Sequence, residues 1–315
     1  MKILLAAEEA AGVQTLRAIA QSGHRIAGVM TAAVDEPRRA TGVRDLARQL
    51  GYDVWPARWV REPAFADRIR AEGVDLLLNV HSLYLVDERV LEAPRLGSYN
   101  LHPGPLPQYA GLNVVSWALY RGETRHGVTI HRMVPRVDAG SIAYQAEVDI
   151  AEQDTALTLS VKCVQAGVPL LKRLVETAAR DPATIPAAPQ ALARRRYFGR
   201  TVPQGGRVVW GRPARDVVNF VRACDYLPFT SPWGHPKGCV DGREVAILKA
   251  TLLDEPVTVP AGVVGAPVGR AVKVAAGDRW VLVHRLQVGG GEAFRDAGEL
   301  LHAGQRFEPG GEGEP

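Results

Sequence analysis

The chain has 315 residues, 46% hydrophobic and 23% charged, with 38 Lys and Arg against 34 Asp and Glu for a formal net charge of +4. That balance excludes a disordered or fibrous chain, and the cationic excess, spread along the chain with only short runs such as Arg194-Arg195-Arg196, is too weak for a nucleic-acid-binding footprint. The length exceeds what one ordinary core fills, so two domains are expected.

In chain order, residues 3–6 form an apolar run that enters a strand directly, without the basic, apolar and cleavage regions of a leader. No apolar run of 18 residues occurs, so a cytoplasmic protein without a membrane span is expected. Helix-like spacing over 13–21, 43–50 and 64–72 lies between candidate strands over 26–31, 74–80 and 97–101. This alternation predicts an α/β domain with a Rossmann-like, mostly parallel sheet joined by right-handed crossovers. Residues 127–133 and 143–150 read as further strands, and 155–179 as a long helix, kinked at Pro169. The first domain is expected to span 1–180. Residues 181–189 then carry three prolines in nine, the composition of an extended spacer, and the linker is placed at 181–204. From 205 to 315 an amphipathic helix over 214–224 precedes short β-rich runs at 244–253, 271–275 and 280–286, which predict a smaller β-barrel of OB-like type. Residues 310–315 have nothing to bury and read as a frayed tail.

Several chemistries drop out on composition. Cys163, Cys224 and Cys239 are odd in number and far apart, which suits free thiols in a reducing compartment rather than disulfides. His235 and Cys239 have no second pair of ligands beside them, so no metal is expected. The turn after the first strand, Ala7-Glu8-Glu9-Ala10-Ala11-Gly12, puts two carboxylates where a dinucleotide's pyrophosphate would need glycines and a free helix terminus. No Gly-rich loop ending in Gly-Lys-Ser/Thr occurs, and neither Ser82 nor Ser141 lies in a nucleophile elbow.

One stretch does carry chemistry. Asn100-Leu101-His102-Pro103-Gly104-Pro105-Leu106-Pro107, followed by Val137-Asp138-Ala139-Gly140, supplies a carboxamide, an imidazole and a carboxylate. Asn100 and His102 are two apart, so on a strand over 97–101 both leave the backbone on one side, at the strand end where open α/β sheets bind ligands. A carboxamide and a protonated imidazole can stabilise an oxyanion, and a nearby carboxylate would keep the imidazole charged and oriented. His81, His126 and His131 have no acid at informative spacing and read as surface or core histidines.

With these residues in place, the stretch from about 76 to 145 resembles the folate-dependent formyltransferases. In that family an Asn-x-His pair, a proline-containing turn and an Asp-x-Gly some way downstream form the catalytic set, and they match Asn100, His102 and Asp138 with Gly140. Residues 127–140 and Tyr197-Phe198-Gly199-Arg200 are similar to the formyltransferase domain that acts on UDP-4-amino-4-deoxy-L-arabinose. The turn Pro103-Gly104-Pro105-Leu106-Pro107 and Tyr109-Ala110-Gly111-Leu112-Asn113 depart from it, lack its arginines, and are similar to formyltransferase-like domains of assembly lines. The resemblance implies the formyltransferase fold and 10-formyltetrahydrofolate as co-substrate. It implies a pterin slot walled by Leu83, Tyr84, Leu85 and Val86 with Val137, Ala139 and Gly140, and acceptor contacts from Gly111, Leu112, Asn113 and Arg200.

The acceptor is then a primary amine. Residues 31–41 carry both signs of charge and no lysine, unlike the basic loop a tRNA substrate calls for. An amino sugar nucleotide, held by an arginine clamp on its phosphates, is preferred over methionyl-tRNA and over an aminoacyl group tethered to a carrier protein. A formyltetrahydrofolate hydrolase and a non-catalytic folate-binding module are the readings from other classes.

Overall fold

An apolar run without alternation marks a strand covered on both faces, and β1 (Lys2–Ala7) is one: every residue from Ile3 to Ala7 is buried. The structure, a computed structural model, describes residues 1–32, 42–289 and 294–310. Its chain groups into two compact units. The first comprises Met1–Gly111, Arg125–Asp149 and Val161–Tyr197, the second Leu112–Thr124, Ile150–Ser160 and Phe198–Pro315.

In the first unit β1 is followed by α1 (Glu9–Ala20), β2 (Arg25–Thr31), α2 (Gly42–Gln49), β3 (Val54–Pro56), α3 (Phe65–Ala71), β4 (Leu76–Val80), α4 (Glu88–Leu91), β5 (Gly97–His102) and the two-residue β6 (Ala110–Gly111). After α5 (Val114–Tyr120) of the second unit come β7 (Arg125–Arg132) and β8 (Ile142–Asp149). The sheet order is β3-β2-β1-β4-β5-β7-β8. Pairings from β3 through β5 are parallel, whereas β7 runs antiparallel to both β5 and β8. The expected Rossmann-like, mostly parallel sheet is therefore present, with a reversed edge.

Strand residues Leu4, Ala6 and Leu77 meet Met30, Trp55, Phe65 and Ile69 in a buried cluster, each large side chain contributing about 1.5–3 kcal/mol by leaving water. α6 (Ala156–Arg180) continues as one 25-residue helix with Pro169 inside it. Its Gly167 faces β5 so closely that a Cβ there would lie 2.6 Å from Leu101 Cδ1, so α6 backs the strand bearing Asn100 and His102 at a distance where a larger residue would require the Leu101 side chain to shift.

Glu8 precedes α1 in extended conformation and is buried. Its Oε1 accepts the Ala32 amide at 2.6 Å and its Oε2 the Thr31 hydroxyl at 3.0 Å. The carboxyl group thus joins the first β–α turn to the end of β2.

In the second unit α7 (Ala214–Ala223), an amphipathic helix, presents Val217, Val218 and Val221 to a cluster that includes Ile247, Val274 and Val283. After β9 (Tyr197–Phe198), the strands are β10 (Lys237–Val240), β11 (Arg243–Pro256), β12 (Val264–Val268), β13 (Ala271–Ala275), β14 (Arg279–Val288) and β15 (Arg295–Asp296). They form an antiparallel sheet in the order β10-β11-β14-β13-β12, with β15 on β14. This is the β-rich carboxyl-terminal domain expected from the sequence. Most of the 31–41 segment and nearly all of the expected tail, residues 33–41 and 311–315, lie outside the described residues. Among the described residues no helix is long and apolar enough to cross a membrane.

Candidate active site

β5 ends at His102, where Pro103 cannot extend the ladder. Its register sets Asn100 beside Asn79 of β4 and opposite His131 of β7, and His102 opposite Thr129. The side chains follow that register. Asn79 Nδ2 donates to the Ser82 carbonyl at 3.2 Å and to Asn100 Oδ1 at 2.9 Å. Because a carbonyl only accepts, this fixes both amides: the Asn100 oxygen is taken, and its NH2 group, free to donate, stands 3.2 Å from His131 Nε2. His131 Nδ1 donates to the Arg132 carbonyl at 2.9 Å, which turns Nε2 toward both the Asn100 amide and Asp138 Oδ1.

Asp138 completes the group. It is buried, with φ of 52°. Its Oδ1 is 3.3 Å from His131 Nε2 and its Oδ2 is 3.7 Å from His102 Nδ1, while the Gly111 amide donates to Oδ2 at 2.8 Å. His102 Nε2 donates to the Tyr109 carbonyl at 2.5 Å. Gly140 follows where a Cβ would lie 1.9 Å from the Arg132 carbonyl oxygen, so a side chain cannot be accommodated without moving the loop.

The electrostatics differ from the sequence expectation of a cationic His102. Burial lowers the His102 pKa, and this outweighs the opposing pull of Asp138 and the Tyr109 carbonyl. Burial works against ionisation of Asp138 too, but His102, His131 and the Gly111 amide together hold its carboxyl well below the usual carboxylate range. The share from His102 is realised only when that ring carries a proton. The resting arrangement is therefore a neutral imidazole, its Nε2–H committed to a backbone carbonyl, its Nδ1 turned toward a carboxylate.

The turn that carries the Tyr109 carbonyl is tied down from β7 and β8. His126 Nε2 donates to the Pro103 carbonyl at 2.8 Å, the Thr129 hydroxyl to the Gly104 carbonyl at 2.7 Å, and Gln145 Nε2 to the Leu106 carbonyl at 2.8 Å. His126 is itself buried, and that desolvation pushes its pKa down to about 4. It remains a neutral donor at neutral pH.

The structure brings Asn100, His102 and Asp138 together, with His131 joining them and the Gly111 amide bonded to the Asp138 carboxylate. Val137 and Ala139 flank Asp138 on the same loop. Leu83 and Leu85 are exposed, 60% and 71%, whereas Tyr84 and Val86 pack against the sheet core, so only alternate members of that segment face solvent. Leu112, Asn113 and Arg200 belong to the second unit. There the Leu112 amide donates to the Phe198 carbonyl, Asn113 precedes α5 at φ of 54°, and Arg200 is exposed. His131 was missed from sequence because its partner Asp138, seven residues on, becomes visible only once β7 is known to run antiparallel to β5. Among the described residues no group of three metal-ligating side chains occurs.

Two family models match the chain: one described as formyl transferase, over residues 34–175, and one as formyl transferase, C-terminal domain, over residues 201–297. Similar solved structures include an N-formyltransferase from Helicobacter canadensis in complex with folinic acid and dTDP-3-aminofucose, 17% identical over 90% of this chain and 98% of that one, with a TM-score of 0.67. WlaRD, a sugar 3N-formyl transferase determined with dTDP and 5-N-formyl-THF, is 16% identical over 92% of this chain and 98% of that one, with a TM-score of 0.68. HypX from Aquifex aeolicus, in complex with tetrahydrofolic acid, is 19% identical over 95% of this chain and 46% of the longer HypX chain, with a TM-score of 0.65. At these identities the likeness is one of fold.

Proposed function

Since the chain belongs to the formyl transferase family, we propose that it transfers the formyl group of 10-formyltetrahydrofolate to the primary amine of a small acceptor, an amino sugar carried on a nucleotide. The observation that carries the reading is the meeting of a carboxamide NH2, a neutral buried imidazole and a carboxylate at the end of β5. As the amine attacks the formyl carbon, charge builds on the formyl oxygen, and Asn100 Nδ2 donates to it. The amine must then lose a proton. His102 Nδ1 is the group suited to take it, since Nε2–H is already committed and the ring is neutral; Asp138 stabilises the imidazolium that forms. Collapse of the tetrahedral adduct breaks the bond to N10 of the folate, and the proton held by His102 is available to that leaving nitrogen.

A pterin is a flat heterocycle held by its faces and recognised at its edge. The exposed Leu83 and Leu85, two residues apart and close in sequence to Ser82, which is bonded to Asn79, fit the first requirement, and the backbone of Val137 to Gly140 offers groups for the second. Support for a sugar nucleotide comes from the dTDP-3-aminofucose bound to the Helicobacter canadensis N-formyltransferase and the dTDP present with WlaRD. The test is incubation with 10-formyltetrahydrofolate and, separately, dTDP-3-aminofucose, a panel of UDP- and dTDP-amino sugars, and methionyl-tRNA, read by mass spectrometry. Gain of one CO by an amino sugar nucleotide, dependent on Asn100 and His102, is expected. Formylation of methionyl-tRNA alone, or release of formate at the same rate with and without every amine, would overturn it.

A further inference from the structure

The loop bearing Asp138 has no ladder of its own to hold it. Between Arg136 and Ile142 the carbonyls of Val137, Asp138 and Gly140 each find a donor in one later segment. Gln190 Nε2 donates both hydrogens, to the Asp138 carbonyl at 3.0 Å and the Gly140 carbonyl at 2.6 Å. Arg195 Nη2 donates to the Val137 carbonyl at 2.9 Å. Ala188 and Ile142 exchange backbone hydrogen bonds of 2.8 and 3.0 Å beside them. On its other side the loop is pressed against the Arg132 carbonyl at Gly140, with no room for a single added carbon. The same segment reaches the second turn of the site, where Arg196 and Ala110 bond backbone to backbone. Asp138 is thus a non-glycine residue in the left-handed region, a conformation that costs about 1 kcal/mol or more, in a loop closed by the Ala139 amide on the Arg136 carbonyl and bonded from the later segment as well.

We propose that Gln190 and Arg195 are positioning residues that set the Asp138 carboxylate against His102 by fixing the backbone of residues 137–140. The inference rests on the role given to Asp138 above. A displacement of about 1 Å at a reacting group can cost on the order of 10²-fold in rate, and the 3.7 Å separation of Asp138 from His102 leaves little margin. Glutamate at 190 supplies the discriminating variant, since it fills the same volume and removes both donors.

The experiment compares wild type, Gln190→Ala, Gln190→Glu, Arg195→Met, Asp138→Asn and the double variant Gln190→Ala/Asp138→Asn. Two readouts are used: formyl transfer from 10-formyltetrahydrofolate to dTDP-3-aminofucose, and the titration of His102 followed by NMR of ring-labelled histidine. The titration needs no acceptor. The charged or titratable groups facing His102 are Asp138, His131, His81 and His126. Both Gln190 variants should lower kcat about 10-fold or more, and both should move the His102 titration to lower pH. Arg195→Met should do the same to a smaller degree, and it serves as the test if the Gln190 variants do not fold. Added to Asp138→Asn, Gln190→Ala should cost nothing further in either readout. Wild-type behaviour of Gln190→Glu, or an additive loss in the double variant, would assign the segment a packing role and overturn the proposal. Wild-type turnover of Asp138→Asn would instead overturn the role of Asp138 itself.

Discussion

Asparagine at 138 keeps the shape of the side chain and an acceptor for the Gly111 amide, and removes one charge. That charge stands 3.7 Å from His102 Nδ1 with both groups buried. At this distance and an effective dielectric of about 20, a full imidazolium loses about 4 kcal/mol of attraction when the carboxylate goes. If the proton is half transferred in the transition state the loss is about 2 kcal/mol, so Asp138→Asn should lower kcat by about 30-fold to 10³-fold. The pH profile gives the sign independently. His102 acts as a base in its neutral form, so activity falls on the acid side as the ring protonates. The carboxylate raises the His102 pKa against the dominant effect of burial; without it the pKa drops further, and the acid limb moves to lower pH. Steady-state kinetics across the acid range, with thermal unfolding to show a retained fold, measure both effects. A kcat within threefold of wild type, or an acid limb that stays in place or moves upward, would refute the assignment.

His126 binds fewer protons folded than unfolded, because burial pushes its pKa from 6.5 down to about 4; its contribution is complete above 6.5 and is lost as pH falls toward 4, about 3 kcal/mol in all. Glutamine at 126 can still donate to the Pro103 carbonyl and does not titrate, so urea unfolding of His126→Gln should show a flatter rise of stability over that window, and an unchanged slope would remove His126 from the account. Leu85 is 71% exposed, so Leu85→Ala should alter stability by no more than about 0.5 kcal/mol while raising the KM for 10-formyltetrahydrofolate several-fold; an unaltered KM would take Leu85 out of the pterin slot.

The alternation of apolar runs and helical spacing was enough to read the parallel sheet, and the pairing of Asn100 with His102 two residues apart pointed to a strand end. What local pattern does not contain is register. His131 enters the site because β7 reverses direction beside β5 and sets it opposite Asn100, and a register one residue away would have turned it to the other face. Burial is likewise a property of the assembled fold: the carboxylate that would charge His102 is legible as a motif, whereas the desolvation that keeps the ring neutral is not. Gln190 and Arg195 act on backbone carbonyls, which every residue carries, so their acceptors leave no trace in the sequence. The Gly111 amide is the same case in reverse, a backbone donor to Asp138 at a position read from sequence as an acceptor contact.

The buried Glu8 bears on what this sheet can recognise. Folds of this shape commonly seat an anion at the first helix, where unpaired amides and the positive end of the dipole collect. Here a buried carboxyl group stands just ahead of that helix, secured to the end of the neighbouring strand. An incoming phosphate would meet an acceptor where it needs donors. Compounds built around a dinucleotide should find no purchase at this turn, and exchanging Glu8 for glycine would be the first step in asking whether that style of cofactor binding can be built into the scaffold.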